Sequence, residues 1–161
     1  VIVNDQILAA VLGVFLPPIV STITKVEVET ILGPAPPELS YNITNSTFTM
    51  APITLQPLGV IWIGITLPET TSLIIDTGLS PADNDSSLAL FGPSGALMVE
   101  DDDGWGDTDD YRSRLVTPIL SEGVLYYLAV TQYLPTWDSG WVASTNGEVT
   151  FPDTVIRFTP N

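Results

Sequence analysis

Hydrophobic positions along this chain come in short runs separated by turn residues. In "VIWIGITL" the side chains of Ile61, Ile63, Ile65 and Leu67 share one face, and in "TKVEVET" Val26 and Val28 oppose Lys25, Glu27 and Glu29. A repeat of two is strand spacing. "SSLALFG" runs into the turn "GPSG", "VLYYLAVTQY" alternates and is rich in aromatics, and "TVIRFT" lies near the end of the sequence. Short strands, frequent Pro/Gly turns and no long amphipathic helix predict an all-β fold, an antiparallel β-sandwich or jelly roll. No internal repeat is visible.

The first apolar run, "ILAAVLGVFLPPIVSTIT", breaks this pattern. Residues Gln6 to Thr24 carry no charge, close to membrane-spanning length. Pro17-Pro18 would interrupt a spanning helix, and no basic flank orients one, so membrane insertion is disfavoured. Two forms remain: a short helix from Asp5 to Leu16 with Asn4 as N-cap, or an extended donor strand. Either needs a partner surface. Leu8, Val11, Leu12, Val14, Phe15 and Leu16 are therefore expected to bury against another copy of the chain. Folding back onto the same chain is the competing outcome. "GPAPPE", Gly33 to Glu38, reads as a stiff linker. It divides an assembly segment, 1–37, from a sandwich domain, 38–161.

Charge narrows the partners. Among 161 residues, 19 are acidic and four basic, a formal net charge of −15. Nucleic acid and anionic lipid both require a basic surface, so neither is expected as a ligand. The chain has no cysteine and no histidine. That removes thiol chemistry, Ser-His triads and the usual zinc, copper and haem ligands. Oxygen ligands remain, which suit Ca²⁺ or Mg²⁺. Three sequons, at Asn42, Asn45 and Asn84, are candidate N-glycosylation sites.

Between Glu100 and Asp110 stand seven carboxylates and no positive charge, followed by Arg112 and Arg114. The stretch "DDDGWGDTDD" has the carboxylate density and the glycines of a calcium loop, but not EF-hand spacing. On its own the run reads slightly better as a solvated acidic hairpin, in part neutralised by the two arginines. Unneutralised, its aspartates would raise one another's pKa.

The order of pieces carries a resemblance. Asp85 stands before "SSLALF"; then follow "PSG", "VEDDDG", "RSRL" and "SEGVLYYLAVTQY". This order resembles the bacterial pre-peptidase C-terminal domain family over roughly residues 48–158. The resemblance implies a β-sandwich of secreted or surface proteins, often holding structural Ca²⁺, and usually appended to an exported enzyme. No catalytic domain accompanies it in this sequence. With the resemblance added, Ca²⁺ is the expected ion, and Asp85, Asp101, Asp102, Asp103, Asp107, Asp109 and Asp110 are the candidate ligands. Asp76 and Asp83 are weaker ones.

Trp105, Trp137 and Trp141 allow a glycan-stacking reading, though packing accounts better for each. The clustered carboxylates lie in one contiguous loop, whereas a glycosidase needs two carboxyls facing across a cleft. The sequence thus predicts a non-catalytic extracellular or cell-surface protein that polymerises through its apolar segment into a filament and is stabilised by Ca²⁺. The alternative is a secreted accessory module that binds a glycan or a protein.

Overall fold

Alternation becomes strand wherever a strand can put one face on a core. The computed structural model describes residues 37–105 and 110–161. They form an all-β sandwich, with no helix among the described residues. One sheet has five strands: β1 (Leu39–Asn42), β4 (Ile61–Thr66), β9 (Tyr126–Gln132), β6 (Ser86–Phe91) and β7 (Leu97–Asp101), in that spatial order. The facing sheet has β2 (Phe48–Thr49), β13 (Arg157–Pro160), β5 (Leu73–Asp76) and β8 (Arg114–Val116). Two short pairs complete the fold: β3 (Ile53–Leu55) with β12 (Phe151–Thr154), and β10 (Pro135–Asp138) with β11 (Val142–Thr145). The assembly residues Leu8 to Leu16 and the strand expected in "TKVEVET" lie outside the described residues.

The main core fills the space between the sheets. Ile63, Ile65, Leu88, Leu90, Leu128 and Val130 meet Leu73, Ile75, Leu115 and Phe158, all essentially inaccessible to water. Full burial of each such side chain stabilises the fold by about 1.5–3 kcal/mol. The expected face of Ile63, Ile65 and Leu67 is the one that points inward.

Three features depart from the simple alternating picture. First, β6 is buried at every position and β9 at all but one. Their outer face carries a second cluster of Ala89, Phe91 and Ala129, covered by Trp62, Tyr127, Trp137, Trp141 and Ala143. The β10–β11 hairpin supplies that cover, and Trp141 packs so closely on Gly95 (φ +81°) that a side chain there would collide with the indole. Trp137 and Trp141 are thus packing residues. Second, β1 pairs parallel to β4, with Leu39 opposite Ile63, in a sheet whose other pairs are antiparallel. Third, the run "TVIRFT" is divided at Val155–Ile156 between β12 and β13, and Asp153 (φ +58°) sits in an irregularity of the β12–β3 register.

A buried polar layer ties the sheets together beneath the acidic loop. Thr77 Oγ1 accepts from Ser86 Oγ at 3.0 Å and from Ser113 N at 3.0 Å. Ser113 Oγ donates to the carbonyls of Ser86 and Asp102. All three hydroxyls are fully buried and partnered, as a stable interior requires.

Candidate metal centre

The β6–β7 register builds the site. Leu88 lies opposite Asp101, so the chain leaving β7 folds back over the start of β6, where Asp85 stands. Asp85, Asp102 and Asp103 each bring a carboxylate oxygen within 4.8 Å of the other two. Ser87, two residues beyond Asp85, donates its hydroxyl to Asp102 Oδ1 and fixes that carboxylate. The Asp102 carbonyl is held by Ser113 Oγ at 2.8 Å. The carbonyl of Asp85 accepts from Tyr133 N at 3.1 Å, anchoring the cluster to the end of β9.

No basic group neutralises these three carboxylates in the described residues. Burial first, then the charges of Asp102 and Asp103, push the Asp85 carboxyl up to about 6. Burial and the neighbouring Asp102 and Asp101 likewise raise Asp103. A hard divalent cation would relieve that repulsion, and three convergent carboxylates are donor chemistry that Ca²⁺ takes.

The other candidates are placed elsewhere. Asp101 Oδ2 accepts from Gly104 N at 2.8 Å and from Arg114 N at 2.7 Å, so that side chain shapes the turn instead of joining the cluster. Asp110 is gripped by Arg112 through Nε at 2.7 Å and Nη2 at 2.5 Å, which holds its carboxyl below the usual range. Arg112 therefore neutralises Asp110 and leaves the three-carboxylate cluster uncompensated. Asp76 is buried and paired with Arg157 at 3.0 Å. Asp83 is exposed and outside the cluster. Asp107 and Asp109 lie outside the described residues.

Trp105 is a pillar of the loop. The guanidinium groups of Arg112, at 5.7 Å, and Arg157, at 5.8 Å, both lie over its ring. It rests on Gly78, where any added side chain would strike the indole. Arg112 also donates to the carbonyl of Gly78 at 2.8 Å. These contacts account for Trp105 by packing, the reading the sequence favours. Two residues, Ser87 and Ser113, position the cluster, and both stand in runs that carry the resemblance, "SSLALF" and "RSRL". The signal for Ser87 was its place two residues after Asp85, on the same face of a strand.

Of the three sequons, Asn42 and Asn45 are exposed. Asn84 is not: it is 2% exposed, and its amide nitrogen donates to Thr154 Oγ1 at 2.8 Å. A glycan on that atom has no space in this fold, which corrects the expectation for Asn84.

A pH dependence follows for the cation-free protein. Asp85 has its folded pKa raised, so its stabilising contribution is full below the ordinary carboxylate value near 4 and is lost as pH rises through 6. Acidification from pH 7 to 5 should therefore stabilise the cation-free protein, by about 1 kcal/mol after allowance for solvent screening. Asp110 acts with the opposite sign, but only below the ordinary carboxylate range. Urea midpoints measured with chelator across this window test it. With saturating Ca²⁺ the trend should reverse, because protons then compete with the ion.

No protein-family model matches the sequence. No curated protein matches it either. Among solved structures, the chain is similar to the pre-peptidase C-terminal domain of a collagenase from Bacillus anthracis. The two share 13% identity with a TM-score of 0.40, over 79% of this chain and 98% of that one. A likeness this distant bears on neither activity nor partner. No helix among the described residues is long and apolar enough to cross a membrane.

Proposed function

We propose that this chain is a non-catalytic structural domain of the cell exterior, stabilised by Ca²⁺ and assembled into a filament through the apolar run before Pro37. The observation that carries the metal part is the convergence of Asp85, Asp102 and Asp103 without a compensating cation. The assembly part rests on the sequence. Six large apolar side chains between Leu8 and Leu16 would together gain about 10 kcal/mol or more on burial, before ordering costs. A head-to-tail contact of this kind that does not close produces a fibre.

The depression lined by Thr44, Asn45, Ser46 and Pro68 contains no acid, base or nucleophile pair suited to catalysis. Asn45, in that lining, and Asn42 are both exposed, which suits a glycosylated outer surface. The alternative, an accessory binding module, draws support from the order of motifs around the acidic loop. Electron microscopy of the full chain and of a version lacking Val1 to Pro18 tests the assembly reading. Fibres are expected from the first and folded monomers from the second. A full-length chain that stays monomeric at high concentration would defeat it.

A further inference from the structure

Three turns meet at the end of the sandwich that bears the carboxylate cluster, and each exposes an apolar side chain. Leu58, Leu134 and Val149 are 63%, 60% and 48% exposed. They ring a single loop. Leu58 N donates to the Gly147 carbonyl at 2.8 Å, Asn146 N donates to the Leu134 carbonyl at 3.3 Å, and Val149 N donates to Gln132 Oε1 at 3.1 Å. Half-buried Tyr133 and Phe151, edge to face at 6.5 Å, flank them.

The two leucines occupy an unusual backbone state, with φ of +57° and +54°. Glycine or asparagine suits that conformation, and a polar residue would suit the exposure. Leucine at both positions opposes both preferences. The side chains therefore point to something they meet.

The chemistry of the neighbourhood restricts the occupant. Tyr133, next to Leu134, is bonded to the Asp85 carbonyl, so the patch adjoins the carboxylate cluster. A negatively charged partner is repelled there, and the chain as a whole carries −15. Gln6 to Thr24 is a long stretch of this chain free of charge.

Its point of entry is also fixed. Because β1 runs parallel to β4, and Glu38 N donates to the Trp62 carbonyl at 3.0 Å, the chain ahead of Pro37 arrives at the end where β4 begins. That is the end bearing Leu58. Residues 17–36 can span roughly 65 Å when extended, well beyond the roughly 24 Å of a strand such as β9. The same patch on a neighbour stacked along the strand axis is within that reach.

We propose that the end patch of Leu58, Leu134 and Val149 is the receiver for the apolar run Ile7 to Leu16 of a second copy. This rests on the assembly reading above and adds where the run docks. The absence of cysteine allows a clean test with full-length protein. Leu12→Cys mixed with Leu134→Cys should give a covalent heterodimer under mild oxidation, several-fold above Leu12→Cys mixed with Ile119→Cys. Ile119 is 74% exposed and lies near the opposite end of β4, beside the Thr71–Leu120 bridge. Equal yields in the two mixtures would overturn the proposal. So would ring closure within single chains of a Leu12→Cys/Leu134→Cys double variant.

A second variant separates the two readings. Leu58→Asn/Leu134→Asn suits the backbone at both turns, so it should fold and lose assembly. Assembly that survives this change, yet vanishes on deleting Val1 to Pro18, leaves the assembly reading standing and rejects this receiver. Assembly that survives the deletion rejects both.

Discussion

Calcium at a hundredfold excess over its dissociation constant will raise the unfolding temperature of the cation-free protein by about 10 °C. Ligand held only by the folded state contributes about 2.7 kcal/mol at that excess. A domain of this size shifts by roughly 3–5 °C for each kcal/mol. The three carboxylates that would hold the ion are brought together by the β6–β7 register and by the Ser87 hydroxyl on Asp102. Asp85→Asn gives the sharper control. Without calcium it should be more stable than the parent, because it removes a charge that burial and two neighbours oppose. With calcium it should lose most of the shift. Identical melting curves in chelator and in millimolar calcium, on protein stripped of ions, would sink the metal assignment.

Arg157→Met is expected to cost about 3 kcal/mol, the largest loss foreseen for a residue away from the core. Asp76 is 1% exposed, and its carboxylate depends on Arg157 Nε at 3.0 Å and on Gly78 N at 2.9 Å. Removing one partner of a buried pair typically costs 3–5 kcal/mol, because the remaining charge stays uncompensated. Arg157 is itself partly exposed, which moderates the figure, while its lost contact with Trp105 adds to it. Adding Asp76→Asn should recover part of the loss, since a neutral amide oxygen can still accept from Gly78 N. Urea unfolding of the single and double variants measures both. A single variant within 0.5 kcal/mol of the parent would show that the pair is not structural.

How far the site could be read from sequence depended on distance along the chain. Ile63, Ile65 and Leu67 announced their inward face by period alone, and the turn at Gly92 to Gly95 by its residues. The double burial of β6 and β9 was not legible in the same way. Periodicity reports one covered face, and the second cover comes from Trp137 and Trp141 on a separate hairpin. The acidic loop was visible as a run, but which carboxylates converge follows from Leu88 lying opposite Asp101. The roles of Asp101 and Asp110 depend on an amide at Arg114 and a guanidinium at Arg112 that composition cannot place. Asn84 matched a sequon, and only its contact with Thr154, 70 positions away, shows it to be interior.

The hydrogen bond from Arg114 N to Asp101 also governs how these sandwiches behave when crowded. Along β8 and its two flanking residues, the amides of Ser113, Leu115 and Thr117 sit on the side facing β5, which leaves those of Arg114 and Val116 turned outward. Asp101 occupies the first of these, and the strand is only three residues long. An incoming strand finds little to zip onto, and the neighbouring edge, β7, ends in Glu100 and Asp101. Molecules held side by side at very high local density would slide past one another at this edge without merging their sheets. The short β8, its capped Arg114 amide and the acidic end of β7 together make that flank a poor template for cross-β stacking.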